Sequence, residues 1–417
     1  MELFETEAFR YKNGELFCED VPVAKLAKEF GTPLYIYSKK EFTSQYQSFR
    51  KAFDPYVKIF YASKANFNLS VIRAFVQLGA GVDVNSAGEL YRALKAGAKP
   101  ENIVLSGVGK TEEEITLALE KGLYFIKAES LEELDLINAV AGRLGKKAEV
   151  AIRVNPNVDA KTHPYISTAL AENKFGISWQ EAENVYKHAA KLKNLNVSGI
   201  DMHLGSQITE KSPYVEAVTK LADLFSKLRA SGLPLKHLDL GGGMGVKYSN
   251  SDGVLPPDEL WSAIKGIVEP LKCEVIFEPG RAMAANAGLL AAKLLYRKKN
   301  GEKNFYVTDA AMNDLLRPSI YKAYHHIQPV KLNGAKDLDA DVVGPVCESG
   351  DFLGKARTIE EMKSGEYLAV MSAGAYGMVM SSNYNARRRA AEVMVEGSSY
   401  KVVRSRETFE HLLYDEQ

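Results

Sequence analysis

The stretch Ile103-Val-Leu-Ser106-Gly-Val-Gly-Lys110-Thr111-Glu-Glu-Glu114-Ile-Thr-Leu-Ala-Leu-Glu-Lys-Gly-Leu-Tyr-Phe125-Ile-Lys127-Ala-Glu-Ser130-Leu-Glu-Glu133 decides the fold. A short apolar run ends at Ser106, and Thr111 and Glu114 then stand at capping-box spacing before an amphipathic segment. A second run ends at Lys127, and Ser130 with Glu133 repeats the helix signal. Strand, helix, strand, helix in this order means parallel strands joined by helical crossovers. Outward from here, apolar runs also end at Lys64, Asp83, Asn155, His203, Leu240 and Glu278, while Ser86 with Glu89 and Ser178 with Glu181 supply two more capping signals. Eight β/α units predict an α/β fold, a closed (β/α)8 TIM-type barrel over residues 33–280, close to the ~250 residues typical of that architecture. An open doubly wound sheet is the competing arrangement. In a barrel all strand C-termini face one mouth, so Lys64, Asp83, Asn155, His203, the triplet Gly241-Gly242-Gly243 and Glu278 are expected to converge.

Beyond residue 281 the pattern changes. Residues 305–308, 341–346, 367–372 and 400–404 read as strands with short turns. Residues 1–32 and 281–417 are therefore expected to form a second, mainly-β domain, sandwich-like or barrel-like. Asn13-Gly14 between two alternating runs marks a tight hairpin, expected to join the C-terminal sheet.

Composition limits the function classes. The 417 residues include 53 basic and 53 acidic side chains with 46% hydrophobic residues, so the chain lacks the positive field that nucleic acid calls for. Small molecules are the expected partners. The start is acidic rather than basic and apolar, and the longest apolar stretch, 282–295, is interrupted by Asn286 and Lys293, so neither export nor a membrane is expected. Cys18, Cys273 and Cys347 are odd in number and far apart, which encodes neither a disulfide framework nor a zinc site and suits a reducing cytoplasm.

Two apparent nucleotide motifs fail on inspection. Gly109-Lys110-Thr111 resembles the tail of a phosphate loop, but Val104 stands where its leading glycine is required. Leu238-Asp-Leu-Gly241-Gly-Gly-Met-Gly has Val246 where the dinucleotide fingerprint needs a third glycine. Three consecutive glycines still imply close backbone approach, either to a phosphate received by bare amides or within a tight turn. Lys64, directly after the apolar run 57–61, is a different matter. A strand-end lysine points into the barrel mouth, and a desolvated amine is the group that condenses with a carbonyl cofactor.

Nine segments in order carry a family resemblance: Tyr61-Ala-Ser-Lys64-Ala-Asn, His163-Pro-Tyr-Ile-Ser-Thr, Glu172-Asn-Lys-Phe-Gly-Ile, His203-Leu-Gly-Ser206-Gln, the glycine triplet, Glu278-Pro-Gly280-Arg281, Leu316-Arg317-Pro-Ser-Ile-Tyr321-Lys-Ala-Tyr, Cys347-Glu348-Ser-Gly-Asp351 and Ala373-Gly-Ala-Tyr376-Gly. The chain resembles the pyridoxal-phosphate-dependent decarboxylases of the alanine-racemase-like barrel fold, fold type III, and within them the branch acting on meso-2,6-diaminopimelate. The resemblance implies that Lys64 holds pyridoxal 5'-phosphate as a Schiff base, with Asp83 orienting it and Glu278 opposite the pyridine nitrogen. It places His203 against the cofactor ring and Ser206, Gly241, Gly242, Gly243, Gly280, Arg281 and Tyr376 around the cofactor and its phosphate.

For the substrate, the resemblance implies Arg281, Arg317, Tyr321, Glu348 and Tyr376, with Cys347 delivering a proton to the carbanion. The loop bearing Cys347 and Glu348 would come from the second subunit of a homodimer. From the residues alone an inert thiol is an equal reading of Cys347, although its acidic neighbour suits a proton donor better than a nucleophile. A distal carboxylate calls for arginine forks and a distal ammonium for acidic groups; this chain offers both, which favours diaminopimelate as substrate and L-lysine as product. Decarboxylation of ornithine, lysine or arginine is the alternative within the fold, and racemisation a weaker one. A non-catalytic cofactor carrier would resemble the barrel alone, and a dead regulator would lack Lys64 or Cys347. One departure stands out: Asn383-Tyr-Asn385-Ala-Arg387-Arg388-Arg389 has Arg388 where the family usually has proline.

Overall fold

The computed structural model describes residues 2–53, 55–159 and 173–416. The segment His163-Pro-Tyr-Ile-Ser-Thr and the Glu172 that opens the next lie outside them. The chain divides into two compact units, one of Met1–Ser44, Val246–Asp252 and Met283–Gln417, the other of Gln45–Gly245 and Gly253–Ala282.

The second unit is a closed parallel barrel. Its strands are β1 (Val57–Ala62), β2 (Gly81–Val84), β3 (Ile103–Leu105), β4 (Phe125–Ala128), β5 (Ala148–Asn155), β6 (Leu195–Asp201), β7 (His237–Asp239) and β8 (Glu274–Phe277). Each pairs with its successor, and Val275 beside Val57 joins β8 back to β1 and closes the ring. Because side chains alternate along a strand, one register of residues fills the barrel and the next register two residues on lies nearer the mouth. Phe60, Val104, Phe125, Ala151 and Ile276 form a buried apolar cluster. Two residues further along most of these strands stand Ser106, Lys127, Arg153 and Glu278, with Asp83, Asp201 and Asp239 at the matching ends of β2, β6 and β7. Gly81 makes room for this filling, since a Cβ there would lie 2.4 Å from the Phe60 ring.

Three of the four expected capping signals operate. Ser86, Thr111 and Ser130 each accept a hydrogen bond from the amide three residues on, and Thr111 with Glu114 completes the reciprocal box. Glu89 and Glu133 instead use their carboxylates for tertiary contacts, to Ser63 and to Lys110. The fourth signal fails: Ser178 lies in the short strand Ile177–Ser178, and the helix Ala182–Ala189 starts after Glu181 without a side-chain cap.

The other unit is mainly β. Its nine-stranded sheet is centred on Gly288–Asn300, which pairs antiparallel with Leu34–Ser38 and with Tyr367–Val370. Leu34–Ser38, which the sequence places at the start of the barrel segment, also pairs in parallel with Ala391–Glu396. The Asn13-Gly14 hairpin forms, but in a three-stranded sheet of its own. Its buried Phe9, Leu16 and Cys18 share one apolar core with Ile36, Leu289 and Val393, and an antiparallel bridge of Glu15 with Lys331 adds backbone pairing outside the main ladder.

Candidate active site

Lys64 sits in a single 3-10 turn, Ser63–Ala65, directly after β1. The turn is tied down on both sides: Ser63 Oγ, with one proton to give, lies 2.9 Å from both the Asp83 carbonyl and Glu89 Oε2, and Tyr61 donates to the Asn66 carbonyl. Lys64 Nζ lies 3.9 Å from Asp83 Oδ2, with the lysine side chain 39% exposed and the aspartate buried. Ser106 holds the other oxygen of Asp83 at 2.5 Å.

Beside this pair lies a charged cluster that sequence reading did not assemble. Lys127 Nζ is 2.7 Å from Asp201 Oδ1, 2.8 Å from Asp239 Oδ2 and 2.6 Å from Glu278 Oε1. All four residues are buried. The three carboxylates are close enough together to hold a metal ion, but the Lys127 ammonium is the cation they share. Burial works against that charge, yet the carboxylates outweigh it and hold the ammonium protonated well above its ordinary range. Glu278 is raised too: burial, then Asp239 and Asp83, lift its carboxyl well above the usual value, with Lys127 opposing. Burial likewise pushes Asp201 up to about 7.

His203 follows β6. Burial, with Lys64, Arg153 and Lys127 nearby, lowers its pKa well below the usual value and leaves a neutral imidazole. Its Nδ1 accepts the Gly242 amide at 3.3 Å, and the Gly241 amide goes to Asp239 Oδ1 at 2.9 Å. The triplet is shaped by close approach: a Cβ on Gly241 would lie 2.3 Å from the Met202 carbonyl, and one on Gly242 2.2 Å from that of Glu278. Gly280 is similarly crowded by Ala62 and Ala65 at 3.1 Å. Arg281 is buried and donates from Nε and Nη2 to Ser206 Oγ at 3.1 and 2.8 Å. The barrel unit therefore brings together Lys64, Asp83, His203, Ser206, the glycine triplet, Glu278, Gly280 and Arg281.

The remaining candidates belong to the β unit. Arg317 opens the short helix Arg317–Tyr321 and is buried; its guanidinium lies 4.7 Å over the Tyr248 ring and donates to His325 Nε2 at 2.7 Å. Ser319 of that helix donates to the Gly350 carbonyl at 2.7 Å, fastening the helix that bears Tyr321 to the loop of Cys347 and Glu348. Cys347 is exposed, and its amide donates to Asn385 Oδ1 at 2.9 Å. Asp351 anchors the same loop by accepting the Val346 and Met312 amides, both at 2.7 Å. Tyr384 hydrogen-bonds Glu348, which raises the phenol's pKa. Tyr376 holds a left-handed backbone, φ +55°. Arg388, the departure from the family pattern, lays its guanidinium 4.6 Å over the Phe409 ring.

Sequence reading missed Lys127, Arg153, Asp201, Asp239 and His325. The signal for the first four was present: each is a charged residue on the inward register near the C-terminal end of a barrel strand.

Comparison with known proteins points one way. Residues 19–285 match the family model described as the pyridoxal-binding domain of pyridoxal-dependent decarboxylases. The diaminopimelate decarboxylase of Aquifex aeolicus is 51% identical over 403 residues, 97% of this chain and 96% of that protein. Crystal structures of diaminopimelate decarboxylases complexed with L-lysine are similar as well. The Helicobacter pylori protein has a TM-score of 0.90 at 41% identity, covering 94% of this chain and 98% of that one. The M. jannaschii protein has a TM-score of 0.94 at 36% identity, covering 99% and 98%.

Proposed function

Because the chain belongs to the pyridoxal-dependent decarboxylases, in the diaminopimelate decarboxylase family, we propose that it releases carbon dioxide from meso-2,6-diaminopimelate and leaves L-lysine, the last step of lysine synthesis by that route. The observation that carries this reading is the placement of Lys64, Asp83 and Glu278 around one barrel mouth, in a chain matching those enzymes over nearly its whole length. The residues present fit pyridoxal phosphate. Asp83 Oδ2 is buried without a hydrogen-bond partner and faces the Lys64 amine.

Lys64 would hold the cofactor covalently, Glu278 would face its ring nitrogen, and neutral His203 would lie against the ring. Ser206, the glycine triplet and Tyr376 are the proposed surroundings of the phosphate. Bound there, the cofactor supplies an electron sink for the pair released with carbon dioxide. Burial and then Asp239 raise the affinity of the Glu278 carboxyl for a proton, which suits it to face a ring nitrogen. Arg281 and Arg317 would take the substrate's carboxylates, with Tyr321 and Glu348 at the distal ammonium. Cys347, exposed on its anchored loop, would return a proton to the substrate carbon, and in a homodimer it would do so in the neighbour's site. No described helix is long and apolar enough to cross a membrane, and a cytoplasmic location is part of the proposal.

The test compares carbon dioxide release from meso-diaminopimelate, L-ornithine and L-lysine by the cofactor-loaded protein. Release from diaminopimelate alone supports the reading. A preference for ornithine or lysine would keep the chemistry and overturn the roles of Arg281 and Arg317.

A further inference from the structure

Three carboxylates lie within 2.8 Å of one ammonium in the barrel, a surplus of anionic groups that one lysine does not balance. Asp83, on β2, adds a fourth negative group acting on both Lys127 and Glu278. The cations facing the set are Lys127 itself, Arg153, which reaches Asp201 at 4.0 Å, and Lys64 beside Asp83. Neutral His203 adds no charge. Arg153 is also engaged by Glu129 at 3.1 Å, so Lys127 is the cation in direct contact with Glu278. Its own position is fixed from below, because Lys110 donates to the Lys127 carbonyl and to Glu133.

We propose that Lys127 is a positioning residue for Glu278, one whose charge decides whether the carboxyl passes its proton to the cofactor's ring nitrogen or keeps it. The inference rests on the reading of this mouth as the pyridoxal-phosphate site. The step is a single proton transfer: the O–H bond of the Glu278 carboxyl breaks, an N–H bond forms at the ring nitrogen, and the carboxylate left behind is stabilised by Lys127 at 2.6 Å. Lys127 would be the protein cation in contact with the carboxylate so formed. Without the lysine, the Glu278 carboxylate would be a fourth anion beside Asp201, Asp239 and Asp83 with no ammonium in direct contact, and the carboxyl would keep its proton. A neutral ring nitrogen is a poorer electron sink.

The deciding readout is NMR of the isotope-labelled ring nitrogen in the loaded enzyme, with kcat and KM measured alongside. In the wild type the nitrogen is expected to be protonated. In Lys127→Met the signal moves to the unprotonated position, kcat falls by about tenfold or more and KM for diaminopimelate changes by less than about threefold. If the methionine variant does not fold, Lys127→Gln, also neutral but still able to donate to Asp201 and Asp239, carries the same test. A folded variant with a protonated ring nitrogen and wild-type kcat overturns the proposal while leaving the assigned activity standing. Wild-type protein that takes up no pyridoxal phosphate would instead end the reading of the site, and this inference with it.

Discussion

His325 Nε2 accepts a hydrogen bond from Arg317 Nη1 at 2.7 Å, while His325 Nδ1 faces the Met371 carbonyl at 2.8 Å. An arginine can only donate and a carbonyl can only accept, so the imidazole is neutral with its proton on Nδ1. Tyr248 packs edge-on against His325 and under Arg317, which leaves the guanidinium one orientation. Arg317 is thus held in place for the carboxylate proposed to meet it.

His325→Leu removes the acceptor and keeps the bulk. A hydrogen bond to a charged group is worth about 1.5–3 kcal/mol. KM for diaminopimelate is therefore expected to rise roughly tenfold or more, with kcat changing far less. Steady-state kinetics on the variant would refute this by showing an unchanged KM.

Lys64→Ala is expected to abolish both activity and covalent cofactor attachment without loss of fold, because the side chain is 39% exposed at the mouth. Cys347→Ala should bind cofactor normally and lower kcat by about a hundredfold or more, the scale of a lost general acid. Full activity in Cys347→Ala would remove the thiol from the mechanism.

At the other end of the barrel, Glu274 takes hydrogen bonds from Tyr124 and from His237 at 3.1 Å, and pairs with Lys58 at 2.7 Å. Burial alone would raise its carboxyl, but the His237, Lys58 and Tyr124 contacts prevail and bring it to about 2, from 4.5. A depressed folded-state pKa stabilises the fold above the unfolded value, and the contribution disappears as pH falls through the folded one. The melting temperature is expected to drop between about pH 4.5 and 2, with a shallower slope in Glu274→Gln. Identical pH profiles would show that Glu274 contributes nothing.

Gly81→Ala should destabilise the barrel by about 1–3 kcal/mol, as overpacking does. Its Cβ would fall 2.4 Å from the Phe60 ring and 2.9 Å from the Asn102 carbonyl, so a side chain and a backbone would both have to yield. Denaturant titration measures the difference.

The barrel was legible because eight apolar runs followed one another and a second, independent signal coincided with them at three units. Apolar runs marked strands, and Thr111 with Glu114 or Ser130 with Glu133 marked where helices begin. Ser178 with Glu181 had the same spacing without the local geometry, since a strand pairing to Val154 and Asn155 claims residues 177 and 178. Lys64, Asp83 and Glu278 were visible as strand-end groups. Lys127 was visible too, yet its meaning was not, because a lysine after Phe125-Ile126 looks solvated until Asp201, Asp239 and Glu278 arrive from strands 74 or more residues away. His325 left no such trace; only the folded chain sets it against Arg317.

The most direct measurement is borohydride reduction of the pyridoxal-phosphate-loaded protein followed by peptide mapping. A pyridoxyl group on Lys64 and on no other lysine is the expected result. Label on Lys127 or Lys110, or none at all, would contradict the placement of the cofactor at the end of β1.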